Sequence, residues 1–262
     1  MQRLITLQAV DAYHQCPRKA FLLLRGEGNG IPHEYTQIVA EHEAASREAH
    51  RRRMAREGGV VQYRPDDLVR GQKVLLDAGL MVDGMKGPCD ALVRVGASSG
   101  KDGFSHEPVR VIGNHRIGRH QILGLAYLGY VLGQLQHHLP AVGTLVRAGE
   151  RPCRVKLTSR YKEVRSMVAV LRAWSEESTA DAPPVILNKH CPECPYRVDC
   201  YEQAEREDNL SLLDRMTPRL LRKYHQKGVF TLTNSRTCSA PDGAGERPSR
   251  PCDTAWSCRL WQ

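Results

Sequence analysis

The stretch Cys191-Pro-Glu-Cys194-Pro-Tyr-Arg-Val-Asp-Cys200 decides the fold, because its three cysteines have the spacing of ligands for one soft metal centre. Short loops join them, so their thiolates can turn toward a common point. Either a tetrahedral Zn²⁺ or an iron–sulfur cluster accepts four sulfurs. We expect the fourth sulfur from Cys16, in the motif Tyr-His-Gln-Cys-Pro-Arg-Lys at 13–19. Such a centre would close a long loop, as a disulfide does.

The other cysteines have a different interpretation. Buried free cysteines are common small hydrophobic residues, so a total of nine does not by itself establish a metal site. A proline directly follows three of the four proposed ligands, which chance produces less readily. Cys89 and Cys153 fit core positions, and Cys238, Cys252 and Cys258 fall in a C-terminal segment that we expect to be disordered.

Composition favours a polyanionic partner and a reducing compartment. The 262 residues carry a formal net charge of +9, with a sequence pI near 9.2. Residues 1–7 lack the apolar run of a signal peptide, and the longest apolar stretch, 122–135, is too short to cross a membrane. We therefore expect a cytoplasmic protein with no membrane partner, in which free thiols favour metal binding over disulfides.

Hydrophobic periodicity predicts alternating helices and strands. The predicted helices are 8–25, interrupted at Pro17, 35–56, 119–136, 159–177 and 201–225, with a stop around Pro218. The predicted strands are 87–95, 107–112 and a pair within 143–157, and 59–63 and 72–76 are predicted as short strands or connectors. From about residue 234 the chain is rich in Gly, Pro, Ser and Arg without periodicity, which predicts disorder.

Two acidic residues on the predicted strands suggest a divalent-metal site. Asp90 and Glu107 would lie on adjacent strands, and His42 on the preceding helix would supply a third ligand. Carboxylate oxygens of this kind hold Mg²⁺ or Mn²⁺ in nucleases. An Asp beside a strand also commonly caps a turn, and a lone helical His is commonly solvated, so spacing alone leaves both interpretations open.

The motifs together resemble those of a known family. The motif at 13–19, the cysteine triplet and Gly87-x-x-Asp90 are similar to the RecB-like nucleases of the PD-(D/E)XK superfamily that carry an iron–sulfur cluster, including CRISPR-associated RecB-type exonucleases and the AddB nuclease domain. The closer resemblance is to a bacterial and archaeal group of RecB-family nucleases. There, a strand like 107–109 precedes an apolar helix like 123–135, and a segment like 209–213 follows the cysteines.

This resemblance, which covers residues 1–232, implies the fold class. It implies an α/β restriction-endonuclease-like core, a mixed sheet flanked by helices, with a cysteine-ligated cluster that joins the N- and C-terminal segments. Residues 1–208 would form the nuclease domain, and 209–233 a helical remnant similar to a helix-hairpin-helix. The C-terminus departs from the family, so that 234–262 would be an aberrant, disordered tail on a truncated protein.

The resemblance also implies the ligands and the reaction. The expected ligands are Cys16, Cys191, Cys194 and Cys200 for a [4Fe–4S] cluster, and His42, Asp90 and Glu107 for a catalytic Mg²⁺ or Mn²⁺. The implied activity is exonuclease-type hydrolysis of DNA phosphodiester bonds in DNA repair, on DNA that is single-stranded or has free ends. A helicase or repair partner is compatible with this activity, but no residue identifies one.

The catalytic motif departs from the family pattern. The family lysine lies two residues after the second acid, where this chain has Val109, and Arg110 would point to the opposite face of the strand. The family's Gln-x-x-x-Tyr motif is also imperfect, since Gln121 is followed by Leu125. Two alternatives therefore remain: a catalytically impaired DNA-binding relative, and a zinc-stapled nucleic-acid-binding module.

Overall fold

The computed structural model describes residues 3–28, 30–96, 105–114, 116–147, 151–177 and 179–236. In these ranges an open, mixed seven-stranded sheet is flanked by helices, which confirms the predicted α/β class. The strands are β1 (Ile5–Thr6), β2 (Val60–Gln62), β3 (Val74–Val82), β4 (Met85–Val95), β5 (Ser105–Ile112), β6 (Val142–Arg147) and β7 (Cys153–Lys156). The helices are α1 (Leu7–Gln15), α2 (Pro17–Arg25), α3 (Glu34–Glu57), α4 (Arg119–Leu135), α5 (Tyr161–Glu176), α6 (Arg197–Arg206), α7 (Pro218–Gln226) and α8 (Leu232–Arg236).

The strand order is β2-β3-β4-β5-β6-β7, and β1 pairs beside β4. Antiparallel pairs join β3 to β4, β4 to β5 and β6 to β7, whereas β1–β4, β2–β3 and β5–β6 are parallel. The β3–β4 hairpin turns at Asp83 and Gly84, whose φ angles of 47° and 70° are those that a tight two-residue turn requires. The antiparallel pairing predicted for 87–95 and 107–112 is that of β4 with β5.

A separate hydrophobic core covers each face of the sheet. On one face α1, α4 and α5 pack over the larger core, in which Leu125, Tyr127 and Leu128 are fully buried. The Tyr127 hydroxyl donates to the carbonyl of Ile5 at 2.6 Å and so ties α4 to β1. On the other face α3 contributes Met54 to a smaller core. None of the helices in the described ranges is both long and apolar enough to cross a membrane.

Prolines divide two of the predicted helices, at the positions that the sequence indicates. The predicted helix 8–25 is α1 and α2, because Cys16 precedes Pro17 and is extended, with φ −160° and ψ 113°. The predicted helix 201–225 is α6 and α7, separated by a 3₁₀ turn at Leu210–Leu212, and α7 begins at Pro218. Residues 234–236, predicted as disordered, complete α8. The rest of that predicted tail, with its three cysteines, lies outside the described residues.

Candidate metal centre and adjoining cleft

Four cysteines from opposite ends of the described chain line one pocket. They are Cys16, Cys191, Cys194 and Cys200. The first is the extended residue between α1 and α2, and the last lies in the first turn of α6. Between them, Cys191 opens a short 3₁₀ turn, and the N–H of Cys194 donates to the carbonyl of Cys191 at 3.0 Å. The four predicted cluster ligands are therefore brought together.

Arg18 fastens α2 to the segment that carries the other three cysteines. Its guanidinium donates to the Pro183 carbonyl at 2.8 Å and to the Gln203 side-chain oxygen at 2.6 Å. A second link is the N–H of Ile31, which donates to the Pro195 carbonyl at 3.0 Å. These hydrogen bonds join residues that are more than 160 positions apart in the sequence. They hold Cys16 close to Cys191, Cys194 and Cys200.

The thiols lie in an environment that suits a bound cation. Burial, with a smaller contribution from the neighbouring Cys16, Cys194 and Cys200, raises the pKa of Cys191 to about 11. Burial likewise raises the pKa of Cys194 and that of Cys200. The protonated thiols are thus favoured at neutral pH unless a metal compensates for the buried charge, since metals bind the thiolate. Soft thiolate ligands suit zinc or iron–sulfur centres.

The side-chain positions do not form a site for a single ion. In the ranges that the structure describes, no three His, Cys, Asp or Glu side chains lie close enough together to coordinate one metal ion.

The two cysteines predicted as core thiols lie apart from this pocket. Cys89 is buried in the larger core, where its Sγ donates to the carbonyls of Ala91 and Val109 at 3.1 and 3.2 Å. Burial raises its pKa to about 12. Cys153 is half-buried in β7.

A cleft of about 640 Å³ adjoins the cysteine pocket. It lies between α1 and α3, at the end of β5 and beside the start of α4, and it shares Lys19 and His190 with the cysteine pocket. Its charged and ring-nitrogen groups are Asp11, Lys19, Glu43, Arg47, Lys86, Arg110, His120, His190 and Glu193. Burial lowers the pKa of His120, so this imidazole is neutral at pH 7.

Arg47 draws two carboxylates together at one side of the cleft. It donates from Nε to Asp90 at 2.6 Å and pairs through its terminal nitrogen with Glu43, one helical turn earlier. The second oxygen of Asp90 accepts the N–H of Val111 at 2.7 Å. Asp90 is therefore held rigidly, with Glu43 beside it on α3.

A break in strand alternation aims Asp90 at α3. Asp77 lies opposite Asp90, between the register pairs Leu76–Ala91 and Ala78–Cys89. The first of these pairs belongs to the core under α3 and the second to the core under α4, so both strands change face at this point. The φ of Asp77, 52°, accommodates the reversal. Counted from Cys89, period-two alternation gives Asp90 the face toward α3, whereas counted from Ala91 it gives the opposite face.

The residue opposite Asp90 on β5 is basic. One step beyond the Ala91–Val109 pair, the register places Arg110 across from Asp90. Arg110 is buried and donates to both oxygens of Asp11, at 2.6 and 3.1 Å. Gly124 leaves space for this pair, since a Cβ there would overlap both side chains.

The remaining predicted metal ligands lie elsewhere. The register pairs Glu107 with Val93, three residues from Asp90 and so about 10 Å along the strand. There Glu107 accepts from Arg154 at 2.9 Å, and burial raises its pKa although Arg154 opposes the shift. His42 is exposed, whereas the next residue on α3, Glu43, lines the cleft. The structure thus brings Asp90 together with Glu43, and not with Glu107 or His42.

Comparison of the chain with protein-family models gives no match, and comparison with curated proteins gives none either.

The buried Arg110–Asp11 pair allows a stability prediction. We expect Asp11→Asn to lower the free energy of unfolding by about 3–5 kcal/mol, because it leaves the Arg110 charge buried without its counter-ion. Urea denaturation measures the change. The matched control is Glu163→Gln, which breaks the more exposed pair with Arg119 (2.8 Å) and should cost at most about 1 kcal/mol. Equal losses in the two variants would contradict a special role for the buried pair.

Proposed function

We propose that this chain is a metal-dependent DNA nuclease of the RecB-like PD-(D/E)XK type, with a structural [4Fe–4S] cluster on its four pocket cysteines. The observation that carries the proposal is the position of Cys16, which meets three cysteines from the far end of the described chain at one pocket beside a charged cleft. A chance set of core thiols has no reason to converge from such distant segments.

The cluster is preferred to zinc on the resemblance of the cysteine motifs to those of the RecB-like nucleases that carry an iron–sulfur cluster. In a four-iron cluster each thiolate binds a different iron. The four pocket cysteines would supply these thiolates, and the cluster would join α2 to α6.

Glu43 and Asp90 are the proposed ligands of the catalytic metal. Their carboxylate oxygens are the hard ligands that Mg²⁺ and Mn²⁺ prefer. A bound ion of this kind lowers the pKa of a coordinated water and neutralises charge on the phosphate. Because Arg47 bonds both carboxylates, a cation would compete with it, and the released guanidinium would lie in the cleft to bind a DNA phosphate. Lys19 and Lys86, which also line the cleft, would bind further phosphates of the DNA backbone.

The basic residue opposite Asp90 favours a second candidate function. In the strand register Arg110, and not the expected second acid Glu107, lies across from Asp90, and Val109 stands where the family lysine would follow Glu107. A protein with this arrangement would bind DNA through the same fold with little or no cleavage.

The described C-terminal helices offer a surface for DNA. On α7 and the turn after it, Arg219, Arg222, Lys223 and Lys227 are exposed, and 216–231 contains no acidic residue. Phe230 is 57% exposed beside the His225 ring, at a centroid distance of 5.2 Å. A cationic surface with an exposed ring suits phosphate contact and base stacking.

The cluster is tested by its iron. We expect about four irons and four acid-labile sulfides per chain, as a [4Fe–4S] centre requires, in anaerobically purified protein. Cys16→Ser should lose this iron, whereas Cys153→Ser, away from the pocket, should retain it. A colourless, zinc-loaded protein whose metal content is indifferent to Cys16 would instead identify the zinc-stapled binding module.

The nuclease is tested on end-labelled single- and double-stranded DNA with Mg²⁺ or Mn²⁺. We expect Glu43→Gln and Asp90→Asn each to reduce cleavage by on the order of 100-fold, since even outer-shell partners of a metal contribute about 10–100-fold. Glu48→Gln, on the exposed side of α3, is the matched control. A loss in Glu107→Gln but not in Glu43→Gln would place the metal where the sequence indicated. DNA binding without metal-dependent cleavage would establish the second candidate.

The α7 surface is tested by charge reversal. We expect Arg222→Glu combined with Lys223→Glu to weaken DNA binding and to reduce the slope of log K against log salt by about 2, because each lost phosphate contact removes nearly one unit. Fluorescence anisotropy over a salt series measures both quantities. Arg70→Glu with Lys73→Glu changes the same charge on a different part of the surface and should alter the slope less.

A further inference from the structure

The guanidinium of Arg18 has one buried nitrogen without a partner in the described part of the chain. Two of its nitrogens are used by Pro183 and Gln203, at 2.8 and 2.6 Å. Its Nε–H is fully buried and donates to no acceptor within the described residues. An unpaired buried N–H costs about 1–3 kcal/mol, and such groups in folded proteins nearly always have a partner. An acceptor for this nitrogen is therefore expected in the space that Arg18 lines.

That space is the cysteine pocket. Arg18 lines it together with the four cysteines. Sulfur is thus the acceptor chemistry within reach of the guanidinium, and a sulfur that carries negative charge accepts most strongly.

We propose that Arg18 is a positioning residue for the cluster, whose Nε–H donates a hydrogen bond to a cluster-bound sulfur and thereby raises the reduction potential. This inference rests on the [4Fe–4S] cluster of the proposed function. The reduced cluster carries one more negative charge than the oxidised one, so a buried cation with a hydrogen bond stabilises the reduced form more. Hydrogen bonds to the sulfurs and local charge are known determinants of cluster potential.

The hydrogen bonds of Arg18 to Pro183 and Gln203 fix the direction of its Nε–H. Because Pro183 and Gln203 hold two nitrogens of the planar fork, the third cannot rotate away from the pocket without losing both bonds. Lysine at this position would keep the charge but could not reproduce the fork. Substitution of Arg18 by lysine can therefore separate the effect of the positive charge on the reduction potential from the effect of the hydrogen bond.

The test is the midpoint potential of the full chain, followed by electron paramagnetic resonance during a redox titration, with iron content measured on each sample. We expect Arg18→Leu to lower the affinity for the electron by on the order of tenfold, about 59 mV for a one-electron couple. Arg18→Lys should shift the potential in the same direction by less. Gln203→Leu, which frees one anchor, should also give a smaller negative shift. Arg206→Leu, an exposed cation in the last turn of α6, should leave the potential unchanged.

The outcomes separate the inference from the proposed function. Iron-free wild-type protein would overturn both. Full iron content in Arg18→Leu with an unchanged potential would overturn the role of Arg18 and leave the cluster proposal intact. If Arg18→Leu does not retain its cluster, Arg18→Lys and Gln203→Leu decide, and unchanged potentials in both would overturn the hydrogen bond. If Arg18→Leu and Arg206→Leu shift the midpoint potential equally, the effect of Arg18 is that of any surface charge, and the proposed hydrogen bond is wrong.

Discussion

The bond between Cys16 and Pro17 constrains the rest of the molecule. A residue before proline is pushed out of the helical region, so the chain cannot continue as one helix through Cys16. The break turns α2 away from α1 and presents the sulfur at a corner instead of on a helix face. From that corner α2 reaches back to residues 183–203 through Arg18, and α1 leads into the sheet. The same short break thus determines where the cysteine pocket lies and how α1 borders the cleft.

A second constraint acts on the sheet, where β3 and β4 change face together at Asp77 and Asp90. A reversal in one strand alone would leave its neighbour out of phase, with apolar side chains exposed on one face. Because both reverse at paired positions, each core remains filled on its own side. Asp90 lies at this change of face, and its carboxylate is oriented by the N–H of Val111, from which it accepts a hydrogen bond. Asp90 therefore lies at a backbone irregularity of the sheet, in contact with the cleft residue Arg47.

The sequence predicted the cysteine pocket better than the acidic site, for physical reasons. Cysteine spacing is a local property, and the proline after Cys16 acts through its own peptide bond. The face of α3 that contacts the sheet is not local: this helix carries charges on all sides, so periodicity cannot say whether His42 or Glu43 points inward. Gly113 decides it, since its missing side chain lets β5 approach the backbone of α3 at Val39 and Glu43. The distance of Glu107 from Asp90 follows from the register of β4 and β5, which cannot be read from either strand alone.

The cleft and the cysteine pocket are mechanically connected through α1. Asp11 lies in the middle of this helix and pairs with Arg110 under the cleft, while the helix ends at the residue before Cys16. Any movement of Cys16 relative to the other cysteines must therefore be taken up either by the Cys16 corner or by α1 itself. The corner is held by Arg18, and the buried pair resists movement of α1, because separating its charges would leave Arg110 unpaired. A centre that locks the four cysteines would thus fix the charge pattern of the cleft, although no cysteine lines it.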